Sequence, residues 1–128
     1  MNRKTVKMVY FSPTGSTKSL VQAIARGTGF DDIEPIDITR PSAREKSLRT
    51  SEDDILLVGV PVYMGRVPAL IQSWLESITA QNTPAVCVVV YGNRTYANAL
   101  LELKDILRKR GCIPFAGAAY IGEHSFSS

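Results

Sequence analysis

The chain has 128 residues, 45% of them apolar and 21% charged, a composition typical of one soluble globular domain without repeats or linkers. Its net charge of +3 is spread along the sequence without a block of like charges, which argues against nucleic-acid binding. No apolar run approaches the ~20 residues of a membrane helix, and a strand pattern begins directly after residue 4. We therefore expect a cytoplasmic protein with neither a signal peptide nor a membrane anchor.

Five apolar segments alternate with segments of helical periodicity. The predicted strands are 5–11, 33–38, 55–60, 85–91 and 114–121. The predicted helices are 16 or 17 to 26, 67–78 and 96–110, with a weaker pattern over 43–48. Pro35 cannot donate to a sheet ladder, so it places the second strand near an edge. Trp74 shares the apolar stripe of its helix and is expected in the core.

Alternation of this kind predicts an α/β domain with a parallel sheet and right-handed crossovers. Five strands suit the doubly wound order 2-1-3-4-5, in which ligands bind beyond the carboxyl ends of the strands, at the switch between strands one and three. The loops after strands one, three and four should meet there.

The loop after the first strand is rich in hydroxyl groups and precedes a helix. Free amides at a helix N-terminus and the helix dipole favour an anion, so the pattern indicates a phosphate site. The Walker order of Gly, Lys and Ser/Thr is absent, and only one Gly occurs, which argues against a dinucleotide site. The alternative is an ordinary helix cap, although a cap requires only one hydroxyl. The predicted phosphate loop comprises Ser12, Pro13, Thr14, Gly15, Ser16 and Thr17.

This loop matches the flavodoxin phosphate loop, Ser/Thr-x-Thr-Gly-x-Thr, at every motif position. The later segment Gly92-Asn93-Arg94-Thr95-Tyr96 resembles the Gly-Asp-x-x-Tyr of that family, with Asn93 in place of Asp. The resemblance covers nearly the whole chain and implies a flavodoxin-like three-layer sandwich that binds FMN and carries electrons between redox partners. No catalytic acid, base or nucleophile is then expected, and no metal site.

The two later loops carry flat or polarisable side chains suited to the walls of a flavin. In flavodoxins the Tyr at the position of Tyr96 stacks on the outer face of the ring, and Met64 stands where many members have Trp, with Tyr63 as the alternative inner wall. Gly65 would leave its peptide free to rotate beside flavin N5, and Arg66 and Arg94 would raise the potential if they lie near the ring. The alternative is that these side chains only pack on loop surfaces. The residues predicted for the flavin from these loops are Pro61, Val62, Tyr63, Met64, Gly65, Arg66, Gly92, Asn93, Arg94 and Tyr96.

Residues 61–68, 91–94 and 122–127 look more specifically like the flavodoxin domain of anaerobe proteins that fuse it to a ferredoxin. That likeness implies a redox protein partner, either a ferredoxin domain or an oxidoreductase. The closing helix usual in this fold is absent from the sequence, so we expect the N-terminal part of a longer protein. The exposed face of the fifth strand then suggests a monomer or a weak dimer.

An FMN-dependent NAD(P)H:quinone-type reductase is the alternative function, because such enzymes resemble flavodoxins in the same loops. It ranks second because the chain has no obvious insertion around the site. Two other classes with this topology are excluded. A receiver domain requires an Asp at the end of the third strand, and a low-molecular-weight phosphatase requires a Cys in the first loop; this sequence has neither. Cys87 and Cys112 form no metal pattern and are interpreted as reduced thiols, with Cys87 buried in an apolar strand.

Overall fold

A five-stranded parallel sheet forms the centre of the structure, a computed structural model that describes residues 4–92 and 97–121. In chain order the elements are β1 (Thr5–Tyr10), α1 (Ser16–Gly27), β2 (Ile33–Asp37), a 3-10 turn (Pro41–Arg44), β3 (Arg49–Thr50), β4 (Asp54–Pro61), α2 (Ala69–Leu75), β5 (Thr79–Ala80), β6 (Thr83–Tyr91), α3 (Ala97–Lys109) and β7 (Cys112–Ile121).

The sheet order is β2-β1-β4-β6-β7, and every neighbouring pair is parallel. Counting only the five long strands, this is the predicted order 2-1-3-4-5, which is therefore confirmed. β2 lies at one edge, as Pro35 indicated. β3 and β5 form a separate two-stranded parallel sheet that was not predicted, because two residues per strand are too few to show a period.

Helices cover both faces of the sheet. On one face Val21 and Ala25 of α1 pack on Met8, Leu57 and Val88. On the other face α2 and α3 cover a larger core, whose fully buried residues include Val58, Val60, Ile71, Leu75, Leu103 and Leu107. The central strands read as continuous apolar runs because both of their faces are buried.

Two predicted elements differ from the structure. The pattern over 43–48 is instead the 3-10 turn that begins at Pro41. α2 spans Ala69–Leu75 rather than 67–78, since Pro68 has extended backbone angles and holds the preceding segment outside the helix. Trp74 is buried as predicted, and its indole N–H donates to the Lys46 carbonyl at 2.8 Å.

The segment 122–127 lies outside the described residues, and so does the end of the chain to which the prediction of an absent closing helix refers. Within residues 4–92 and 97–121, no helix is both long enough and apolar enough to cross a lipid bilayer.

Candidate functional site

The carboxyl ends of β1, β4 and β6 lie side by side at one edge of the sheet. Beyond β1, the Phe11 amide donates to the Gly59 carbonyl of β4 at 3.2 Å. Beyond β4, the Val62 amide donates to the Val90 carbonyl of β6 at 2.9 Å. Parallel pairing therefore brings the beginnings of the three predicted loops to one edge, at the switch point between β1 and β4.

The first loop turns into α1 through Gly15, whose φ of 92° lies in the left-handed region that favours glycine. The Gly15 amide donates to the Ser12 carbonyl at 3.3 Å, and Ser12 Oγ accepts from the Lys18 amide at 3.0 Å. The N-cap residue of α1 is Gly15, which makes no side-chain cap hydrogen bond, so the helix does not begin with the Ser/Thr N-cap of the alternative interpretation. Ser12, which precedes the N-cap, occupies one free amide of the first turn.

Three other amides of this loop, those of Thr14, Ser16 and Thr17, have no acceptor among the described residues. The Thr14 and Ser16 hydroxyl oxygens lie 3.3 Å apart beside them. Thr17 is only 2% exposed, and its methyl group faces Gly59 of β4. The loop thus offers backbone N–H groups and two hydroxyls to an anion, at the positive end of a helix.

A residue from the loop after β2 also supports this site. Thr39 Oγ1 accepts from the Ser12 amide at 2.9 Å, and the Thr39 amide donates to Asp37 Oδ1 at 2.9 Å. Sequence reasoning missed Thr39 because its bond to Ser12 spans 27 residues and has no local pattern.

The second loop contains a tight turn over residues 63–66. The Tyr63 and Arg66 backbones exchange two hydrogen bonds of 2.9 Å, while Met64 and Gly65 have φ values of 54° and 78°. Two successive positive φ values are typical of a type I′ turn. Met64 stands at its tip with 97% of its surface exposed.

The aromatic ring of Tyr63 links the second loop to the first. It lies edge-on to the ring of Phe11, with centroids 6.4 Å apart and planes at 75°. The Arg44 guanidinium lies 6.0 Å from the Phe11 ring and donates to the carbonyls of Ile38 and Thr39. Tyr63 is still 43% exposed, so part of its surface remains available to a flat ligand.

Arg66 points toward α3 and forms a two-pronged ion pair with Glu102. The bond from Arg66 and the bond from the Val67 amide hold the pKa of Glu102 below its ordinary value, although burial opposes them. The Glu102 carboxylate therefore offsets the positive charge of Arg66, which the sequence predicted to act on the flavin. Neither Arg66 nor Glu102 had a local sequence pattern that predicted this pairing.

Of the third loop the structure describes Gly92, which is exposed directly after β6. The predicted site residues Asn93, Arg94 and Tyr96 lie outside the described residues. Among those described, no group of three or more His, Cys, Asp or Glu side chains is placed to hold a metal ion.

No family model matches the sequence, and no curated protein sequence matches it either. Solved structures are similar in fold. A protein of Bacteroides uniformis, provisionally assigned as a flavoprotein, has a TM-score of 0.67 at 18% identity, over 94% of this chain and 91% of that one. The flavodoxin of Streptococcus pneumonia has a TM-score of 0.65 at 15% identity, over 91% of this chain and 83% of that one.

A flavodoxin from the domain Archaea has a TM-score of 0.62 at 16% identity, over 95% of this chain and 87% of that one. Similarity that extends over most of each chain, together with the sheet order, shows that this chain has the flavodoxin-like fold.

Proposed function

We propose that the chain is an FMN-binding electron-transfer domain of the flavodoxin family. The observation that carries the proposal is the set of three amides in the Thr14–Thr17 segment that have no acceptor in the described part of the chain, at the switch point and beside an aromatic turn. A phosphate monoester fits these donors without a cationic side chain, which matches a loop whose Lys18 lies beyond it. The fold similarity supports the same family.

In this proposal Thr14, Ser16 and Thr17 hold the phosphate through their amides, with the Thr14 and Ser16 hydroxyls as further donors. Tyr63 provides an apolar wall on one face of the flavin ring. The rest of that loop completes this side: Pro61, Val62, Met64 and Gly65. The loop after β6 provides the wall on the other face of the ring: Gly92, Asn93, Arg94 and Tyr96. FMN, when bound, supplies one- or two-electron transfer chemistry. The protein holds the cofactor, excludes water from part of it and leaves an edge open.

The proposed partner is a redox protein, such as a ferredoxin domain or an oxidoreductase, and the proposed compartment is the cytoplasm. The sequence likeness to flavodoxin domains of anaerobe fusion proteins supports this partner class. The chain has no obvious insertion around the described site, which favours a carrier over the alternative reductase.

A titration with FMN and with riboflavin tests the phosphate assignment, because riboflavin lacks only the phosphate. Charge-assisted hydrogen bonds from the three amides predict that FMN binds at least about 100-fold more tightly than riboflavin, measured by quenching of flavin fluorescence. The variant Thr14→Glu should weaken FMN binding but not riboflavin binding, since its carboxylate repels the phosphate. Ala23→Glu adds the same charge at an exposed position further along α1 and is the matched control. Equal affinities of the wild type for both flavins would refute the assignment.

Mixing the FMN-loaded protein with NADH or NADPH separates the two candidate functions. A carrier should be bleached slowly without a partner protein, whereas rapid bleaching would favour the reductase.

A further inference from the structure

A carboxylate on α3 reaches the turn over residues 63–66 from outside the proposed flavin site. Glu102 Oε1 accepts from Arg66 Nε at 3.1 Å and from the Val67 amide at 3.0 Å. Glu102 Oε2 accepts from Arg66 Nη2 at 2.5 Å and from Gln72 Nε2 at 3.3 Å. One side chain therefore joins α3 to the end of the turn and to the beginning of α2.

The environment makes this connection stronger than an ordinary surface pair. The Glu102 side chain is only 18% exposed, and its two oxygens receive four donors. Bidentate pairing with a guanidinium fixes the geometry of both partners, and bonds to a charged acceptor are stronger than neutral ones. Gln72 also donates to the Val67 carbonyl at 3.1 Å. Both the backbone N–H and the backbone carbonyl of Val67 are therefore hydrogen-bonded to side chains.

The turn needs such an anchor because its backbone is unfavourable. Met64 has a φ of 54°, a conformation that side chains other than glycine adopt at a cost. The side chain of Met64 is almost fully exposed, so it gains little from packing that could offset this cost. The Tyr63 ring and the bonds to Glu102 hold the two ends of the turn.

We propose that Glu102 is a positioning residue, which holds the 63–66 turn in its conformation and thereby sets the affinity and the reduction potential of the flavin. The second half of this statement rests on the proposed function. Glu102 acts through Arg66 and Val67 and does not itself belong to the predicted flavin contacts.

The variant Glu102→Gln removes this anchor while it keeps the shape of the side chain. In either orientation of the new amide, its N–H₂ group faces a donor of Arg66, because Arg66 donates to both carboxylate oxygens. The matched control is Asp105→Asn, on the same helix. Asp105 is 65% exposed and accepts from Arg108 Nη1 at 2.9 Å, without a bond to the turn.

Amide hydrogen exchange in the flavin-free protein measures the anchor directly. We expect the Arg66 and Val67 amides to exchange about tenfold faster in Glu102→Gln, and within about twofold of wild type in Asp105→Asn. The Val58 amide of the central strand should keep its protection, which distinguishes a local effect from global destabilisation. Unchanged exchange at Arg66 and Val67, or an equal effect in the control, would overturn the positioning role.

FMN binding and potentiometry test the consequence for the cofactor. Glu102→Gln should bind FMN about tenfold more weakly, because the 63–66 turn is less ordered in the variant and ordering it on binding costs free energy. Its midpoint potential should rise, because Arg66 is left without its counter-charge near an electron-accepting ring. Asp105→Asn should show neither change, since its exposed pair is screened by solvent.

The outcomes separate this inference from the proposed function. If the wild type binds no FMN, the proposed function fails, and the exchange experiment alone decides whether Glu102 positions the turn. If exchange becomes faster while affinity and potential stay at their wild-type values, the link between Glu102 and the cofactor is overturned.

Discussion

At the level of single residues, the described part of the candidate phosphate site offers an anion three backbone amides and two side-chain hydroxyls. Four hydroxyls indicated a phosphate loop in the sequence. Of these, the Ser12 hydroxyl accepts from the Lys18 amide in the first turn of α1, and Thr17 is buried against β4. The amides of Thr14, Ser16 and Thr17 remain without acceptors in the described structure. Gly15, with its left-handed backbone, is the N-cap of α1, so that the Ser16 and Thr17 amides are the first two of the helix and the Thr14 amide directly precedes the N-cap.

The thiols of the two cysteines provide a test of the core at this scale. Burial raises the pKa of Cys87 to about 12 and that of Cys112 to about 11, and the two thiols form no disulfide. Because the thiolate is the reactive form, we expect neither residue to react with a thiol reagent at pH 8 in the native state. Both should react after unfolding in guanidinium chloride. Rapid labelling of the native protein would show that this part of the core opens readily.

A second residue-scale test concerns Tyr96, which the family resemblance assigns to the outer face of the flavin. We expect Tyr96→Ala to weaken FMN binding about tenfold, because a stacked aromatic wall is lost. Phe30→Ala is the control, since it likewise truncates an aromatic side chain; the Phe30 ring is partly exposed in the segment that follows α1, at the opposite end of that helix. Equal retention of FMN by the Tyr96 variant and wild type would refute the stacking assignment and leave the phosphate assignment standing.

At the scale of elements, the position of α1 depends on a close approach to β4. A Cβ added at Gly59 would clash with Val21 Cγ1 and lie 3.2 Å from Thr17 Cγ2. Both neighbours are β-branched and buried, so neither side chain can rotate away easily. The glycine in β4 therefore lets the N-terminal part of α1, which bears the candidate phosphate site, lie against the sheet.

We expect Gly59→Ala to lower the free energy of unfolding by about 1–3 kcal/mol, as is usual for overpacking in a core. Gly27→Ala is the matched control at the end of α1, where no atom lies within 4 Å of an added Cβ. That change should leave stability unchanged or raise it by up to about 1 kcal/mol, because alanine restricts the unfolded chain. Urea denaturation measures both variants, and equal stabilities would contradict the packing argument.

At the scale of the whole molecule, the bonds to Glu102 connect α3 with the segment that joins β4 to α2. The lowered pKa of its carboxyl makes the strength of this connection depend on pH. A group with a lowered pKa in the folded state stabilises the fold fully above its ordinary pKa of 4.5, and this contribution is lost as the pH falls through the folded-state value.

The acid limb of the stability curve should therefore be shallower in Glu102→Gln than in wild type. The variant is expected to be less stable at pH 7, and the difference between the two proteins should shrink as the pH falls below 4.5. Urea midpoints measured from pH 7 to pH 3 test this, with Asp105→Asn as the exposed control. A difference that stays constant over that range would show that ionisation of Glu102 does not contribute.

Local sequence patterns were sufficient to predict the layered architecture. Buried strands such as β4 and β6 are continuous apolar runs, and amphipathic segments between them imply crossover helices. The parallel sheet, and the single edge at which the three loops begin, could therefore be predicted from local patterns. The candidate phosphate loop could be predicted for the same reason, because a strand end, a glycine and a helix start are adjacent along the chain.

Which groups in those loops already have hydrogen-bond partners depends on contacts between segments that are distant in sequence. Glu102 meets Arg66 across 36 residues, and Thr39 meets Ser12 across 27, so no periodicity or motif marks either pair. The conformation of the 63–66 turn likewise follows from how its ends are held, since Met64 alone does not favour a positive φ. Local patterns determine elements because their hydrogen bonds and burial repeat along the chain, whereas these contacts arise only after the sheet has brought distant segments together.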